Sequence, residues 1–144
     1  MKKRIEIRQK YRKVLLNFSK SPKSFGSPVL SVVLKSPLTS KVTLTVGKFL
    51  ADTGASISII NATYESFLKE LEQIDSLKVQ YGAGEVKKLP IFKVIFIING
   101  HEIESKVAYD AQLPYLLLGN FDFFENFSYN IFDSTLGEIR LIKT

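Results

Sequence analysis

A chain of 144 residues, 45% hydrophobic and 24% charged, is long enough for one domain with a real core and too short for two full ones. The absence of cysteine excludes thiol catalysis, iron–sulfur clusters, disulfides and thiolate zinc sites, and the single histidine, His101, excludes a multi-histidine metal centre. The net charge of +6 is unevenly placed: residues 1–23 carry nine basic side chains and one acid, Glu6, so the rest is slightly acidic and no nucleic-acid groove is expected there.

Ile5, Ile7 and Tyr11 alternate with polar residues, which fits an edge strand, but helical spacing fits as well and the choice stays open. Val14-Leu15-Leu16 is too short for the apolar core of a secretory signal, and no run of about 18 apolar residues could span a membrane, so a cytoplasmic protein is expected. Serine, proline and glycine collect between Ser19 and Pro28, the composition of a linker. The expected division is a basic arm and linker, 1–25, followed by a folded domain, 26–144.

From Pro28 the pattern becomes β. Val29–Leu34 reads as an apolar strand, Ser36–Ser40 as a turn, and Val42, Leu44 and Val46 as the inward face of a further strand. Phe49-Leu50-Ala51 runs into Asp52-Thr53-Gly54. Tyr64, Phe67, Leu68 and Leu71 predict one helix, from Ala62 to about Ile74, with Asn61 as its N-cap. Leu77–Tyr81 and Val86–Leu89 form a hairpin around Gly82-Ala83-Gly84. Ile91–Ile98 and Glu102–Ala108 form another around Asn99-Gly100, whose residues suit the positive φ angles of a type I′ turn. Beside that turn His101 reads as a solvated histidine. Tyr115–Gly119 is a buried strand, Asn120 to about Asn126 a short helix burying Phe121, Phe123, Phe124 and Phe127, and Ser128–Phe132 with Glu138–Leu141 a last strand pair. The body is all-β with one or two small helices. No phosphate-binding GxxxxGK or GxGxxG pattern is present.

The chemistry lies in Leu50-Ala51-Asp52-Thr53-Gly54-Ala55-Ser56. Alone, Asp-Thr-Gly is an ordinary Asx-type turn. It is accompanied by apolar residues before it and after Ser56 (Ile57, Ile59, Ile60), by the glycine-tipped hairpin further on, and by Leu117-Leu118-Gly119. In this order and spacing, over about residues 28–142, the chain resembles the retropepsin-like aspartic proteases. That resemblance implies a retropepsin-like acid protease fold: a closed, barrel-like all-β body with one or two short helices and a flap hairpin.

It also implies an aspartic endopeptidase with Asp52 as the catalytic residue and Thr53 and Gly54 supporting its loop. Ala55, Ser56, Gly82, Ala83 and Gly84 would bind an extended polypeptide substrate, and Leu118 and Gly119 would stand behind the site. Neither metal nor cofactor enters. Gly54 allows amide donors to approach the carboxylate. For Gly119, close packing beside the catalytic loop and a plain strand-ending glycine explain the letters equally well.

Such peptidases need two aspartates, and the chain has one Asp-Thr-Gly. Asp133-Ser134-Thr135 is followed by glycine one residue late, at Gly137, and reads as a hairpin turn, while Asp75, Asp110 and Asp122 lack the Thr/Ser-Gly that should follow. The second aspartate must come from a second chain, in a C2 homodimer. Retroviral members usually carry an acid at the position of Ser56 and an arginine at that of Asn120; here the pair is either a neutral Ser56–Asn120 contact or is lost. Two other readings compete. One is a catalytically silent dimer that recognises peptides or partners, and the other is a nucleic-acid or anionic-surface binder acting through the basic arm. The 19–28 linker could also be a self-processing site.

Overall fold

The computed structural model describes residues 4–11 and 28–144. The linker, most of the basic segment and the self-processing site expected there lie outside the described residues. The described residues form ten strands: β1 Ile5–Lys10, β2 Val29–Lys35, β3 Gly47–Ala51, β4 Ile59–Ile60, β5 Gln73–Gln80, β6 Val86–Ile98, β7 His101–Tyr109, β8 Leu116–Leu118, β9 Tyr129–Asp133 and β10 Glu138–Lys143. Strands run in the order β2-β3-β8-β4-β7-β6, and β2 also pairs with β6, which closes a six-stranded barrel. β5 extends the barrel as the outer partner of β6. Most pairs are antiparallel, but β3 lies parallel to β8 and β4 to β7. β3 and β8 run to the same end of the barrel and β4 starts there antiparallel to β8, which brings residues 52–58 and 119–121 together.

A second, three-stranded sheet, β1-β10-β9, covers the barrel. The open choice at the N-terminus is therefore a strand: Ile7 faces Leu141 and both side chains are fully buried in the main core. This corrects the placement of the whole basic segment outside the body, because residues 5–10 fold with it. Gln9 ties the two layers together, accepting from Ser31 N–H at 2.7 Å and donating to Asn99 Oδ1 at 2.9 Å. Asn99 (φ 50°) and Gly100 (φ 78°) form the expected left-handed turn, and the Asn99 amide donates to the Arg8 carbonyl. His101 opens β7 opposite Ile98, half-buried.

The core is built on aromatic rings. Phe49, Phe96 and Phe123 follow one another edge-to-face at 5.7 and 5.6 Å, and Phe124 joins Phe123 at 4.9 Å. Phe127 is also buried, but Phe121 is 58% exposed, so the expected buried cluster loses one member. The segment 120–126 contains only a one-turn 3₁₀ helix, Phe124–Asn126.

Three other expectations are corrected. The helix from Ala62 is a 3₁₀ helix ending at Glu70, with Asn61 capping Thr63 N–H as read, and Ile74 belongs to β5. Leu71 N–H closes the helix on the Leu68 carbonyl while its side chain enters the core, and pairing with β6 then overrides the helical spacing. Val42, Leu44 and Val46 form no strand: after Val32, β2 leaves β3 for β6, and one isolated bridge to Val42 remains, with all three side chains exposed. Finally, β6 runs unbroken through Pro90, whose missing N–H is tolerated because pairing with β7 begins only at Ile91.

Tyr64 supplies a first test. Its hydroxyl is buried with no hydrogen-bond partner, in space left by Gly47, and burial pushes its pKa up to about 12. An unsatisfied buried hydroxyl costs about 1–3 kcal/mol. Tyr64→Phe is therefore expected to raise the urea midpoint, and a drop in stability would contradict this packing.

Candidate active site

Asp52 follows β3 at the barrel end where β3 and β8 both finish. Its N–H donates to the Leu118 carbonyl at 3.0 Å, continuing the β3–β8 pairing by one bond. Its Oδ1 accepts from Gly54 N–H at 2.9 Å, and Ala55 N–H donates to the Asp52 carbonyl at 3.1 Å. The loop is thus an Asx turn, as the bare tripeptide suggests, but one held from outside as well. Asp52 is half-buried, and its Oδ2 makes no hydrogen bond among the described residues.

The outside support comes from the residues after β8. Asn120 N–H donates to the Ala55 carbonyl and Phe121 N–H to the Ser56 carbonyl, each at 2.9 Å. The Asn120 side chain donates to the Thr53 carbonyl at 2.7 Å. Asn120 therefore supports the aspartate loop through backbone oxygens, without using the Ser56 hydroxyl. Gly119 N–H donates to the hydroxyl of fully buried Ser58 at 3.0 Å. A Cβ on Gly119 would stand 2.6 Å from the backbone C and O of Ile57, which decides between its two readings: the residue is glycine because the backbones touch. Leu118 lies fully buried beneath the loop.

Beside the loop is an open groove of about 560 Å³, with Gly54, Ala55, Ser56, Phe121 and Asn130 among its lining residues. Gly82, Ala83 and Gly84 stand apart from it, at the tip of the β5–β6 hairpin. The tip closes on itself, with Tyr81 N–H bonded to Glu85 O and Gly84 N–H to Tyr81 O, and Gly82 takes φ +59° in open space.

No protein-family model matches the sequence, and no curated protein matches it. Among solved structures, a retropepsin-like aspartic protease from Rickettsia conorii aligns with a TM-score of 0.58 at 19% identity, over 98% of this chain and 92% of that one. The fold is retropepsin-like. The EIAV protease complexed with the inhibitor HBY-793 aligns at 20% identity over 74% of this chain and 88% of that one, with a TM-score of 0.45. The retroviral protease-like domain of Ddi1 from Leishmania major aligns at 20% identity over 74% and 82%, with a TM-score of 0.44.

Within this retropepsin-like fold the sequence reading brought Asp52, Thr53, Gly54, Ala55, Ser56, Leu118 and Gly119 into one neighbourhood. It missed Ser58, whose signal was one polar residue interrupting an apolar run. It also missed Asp110, for which no local signal exists. Asp110, 5% exposed, receives Tyr81 O–H at 2.8 Å and Lys87 Nζ at 3.4 Å on Oδ2, and Gln112 N–H at 3.0 Å on Oδ1. Asp133 makes the expected turn, accepting from Thr135 and Leu136 N–H. Among the described residues no cluster of three or more His, Asp or Glu could hold a metal ion, and no helix is long and apolar enough to cross a membrane.

Burial raises the Asp110 pKa, but the Tyr81 hydroxyl, the Gln112 amide and Lys87 outweigh it, so the carboxyl lies below its ordinary 3.8. A carboxyl depressed on folding contributes stability that is complete above its unfolded value and is lost as the pH falls through the lower folded one. Wild type should therefore be more stable than Asp110→Asn above pH 3.8, with the two midpoints converging below it. Parallel stability profiles would contradict this.

Proposed function

We propose that the chain is a homodimeric aspartic endopeptidase in which two Asp52 side chains, one from each subunit, activate a water for peptide hydrolysis. The observation that carries this reading is the Asp52 loop itself: it is braced by Leu118, Asn120 and Phe121, its Asp52 Oδ2 has no hydrogen bond among the described residues, and its Gly54, Ala55 and Ser56 line an open groove. A solitary turn aspartate has no need of such bracing.

Across a two-fold axis the carboxylates repel, so they share one proton and titrate as a pair. The ionised partner takes a proton from water as the water oxygen attacks the scissile carbonyl, and the protonated partner gives its proton to the carbonyl oxygen. A neutral gem-diol results, with no acyl-enzyme. Its collapse moves one hydroxyl proton back to the dyad while the dyad protonates the departing nitrogen, releasing acid and amine and restoring the single shared proton. Ala55 and Ser56 flank the substrate, and the Gly82–Gly84 tip closes over it as a flap, so the substrate binds as an extended strand. Thr53 braces the partner's loop across the axis.

The test is cleavage of a denatured protein mixture between about pH 3.5 and 7, a range that brackets dyad titration, with enzyme concentration varied at each pH. Cleavage rising more than linearly with enzyme at low dose is expected. A folded dimer that cleaves nothing would put the peptide-recognition reading in its place.

A further inference from the structure

The outer part of the β5–β6 hairpin is a two-stranded ribbon: β6 pairs with β7 only from Ile91 onward, whereas residues 76–90 pair only across the hairpin. A two-stranded ribbon on its own is at best marginally ordered. Beneath it Val79, Tyr81 and Leu113 pack on the small apolar cluster of Ile59, Leu89, Ile91, Ala108 and Leu117. Both strands of the ribbon then meet one carboxylate. Tyr81, leaving β5, and Lys87, entering β6, bond to the same Asp110 oxygen, and Lys87 also reaches Gln112 Oε1 at 3.2 Å.

Asp110 is itself rigidly held. Its N–H donates to the Ile60 carbonyl at 2.9 Å, its carbonyl receives Leu113 N–H, and the Asn61 side chain bonds the Leu113 carbonyl at 3.0 Å. Ile59 and Ile60 form β4, the strand into which the Asp52 loop runs. The path from hairpin to aspartate therefore passes through one buried carboxylate and one short strand. The contact is also durable: burial and the Asp110 hydrogen bond raise the Tyr81 pKa, so the phenol keeps its proton and remains a donor.

We propose that Asp110 is a positioning residue that clamps both strands of the flap just below its tip, fixing the flap over the Asp52 site and confining its closing motion to the tip at 82–85. The inference rests on the peptidase reading for its consequence but not for its geometry, and the test separates the two.

Amide hydrogen exchange across residues 79–88 and steady-state cleavage of one peptide would be measured for wild type, Tyr81→Phe, Asp110→Asn and the double variant. Tyr81→Phe removes a single hydroxyl and guards against an unfolded Asp110 variant. In Tyr81→Phe the 79–88 amides should exchange about tenfold faster, the size of one hydrogen bond to a charged group, with β9 and β10 unchanged. KM should rise by about the same factor while kcat stays within about twofold. The double variant should be no worse than Asp110→Asn, since both changes break one contact. Unchanged exchange in the ribbon would overturn the clamp, and faster exchange with unchanged KM would overturn its positioning role. Faster exchange in a chain that cleaves nothing would support the clamp and count against the peptidase reading alone.

Discussion

On the proposed paired-aspartate mechanism, Asp52→Asn is expected to lower peptide cleavage by about 10⁴-fold or more, since it would remove both the general base and the general acid. The substitution is nearly isosteric. An asparagine Oδ1 can still accept from Gly54 N–H, as the Asp52 Oδ1 does at 2.9 Å, and the backbone bonds to Leu118 and Ala55 do not involve the side chain. Stability should therefore change by no more than about 0.5 kcal/mol, and binding of an extended peptide should survive. Asp52→Ala is the contrasting control, because it also deletes the Asx bond and loosens the loop. Retained cleavage in a purified, folded Asp52→Asn protein would remove Asp52 from the chemistry. Lost cleavage with lost folding would instead assign it to the turn.

The second large effect is expected at Gly119. Its missing Cβ would lie 2.6 Å from the Ile57 C and O and 2.8 Å from the Ile57 N, all backbone atoms that no rotamer change can move. Overpacking of this kind costs about 3 kcal/mol, and here the strain falls on the contacts that brace the Asp52 loop. Moving residue 119 away from Ile57 stretches its bond to Ser58 and shifts the Asn120 and Phe121 amides that hold the Ala55 and Ser56 carbonyls. Gly119→Ala should thus reduce both the urea midpoint and cleavage. Gly82→Ala is the comparison: its Cβ meets nothing within 4 Å and only the positive φ is penalised, at about 1 kcal/mol. A Gly119→Ala protein as stable as wild type would mean that the two backbones do not touch.

What the sequence disclosed depended on the range of the determining contact. Asn99-Gly100 was legible because a type I′ turn demands positive φ from those two residues whatever surrounds them. The Asp52 loop was legible because its residue types, its apolar flanks and Leu117-Leu118-Gly119 all stand in one line of sequence. The end of the first helix was not, since Leu71 has good helical spacing and only the long β6 partner draws the chain into β5. Val42, Leu44 and Val46 alternate as a strand should, but no neighbouring edge is available to them. β1 could be settled only by Leu141 and Ile139, at the far end of the chain. The Asp110 clamp joins residues 23 and 29 positions apart through side chains alone, and no periodicity encodes that.

Subunit mixing tests the paired-aspartate account most directly. Wild type and Asp52→Asn would be combined at fixed total protein, unfolded and refolded together, and assayed above the dimerisation midpoint. If catalysis needs one Asp52 from each of two chains, mixed dimers are silent and activity follows the square of the wild-type fraction. Activity falling in simple proportion to that fraction would mean that a single Asp52 suffices, and the shared-proton mechanism would be wrong.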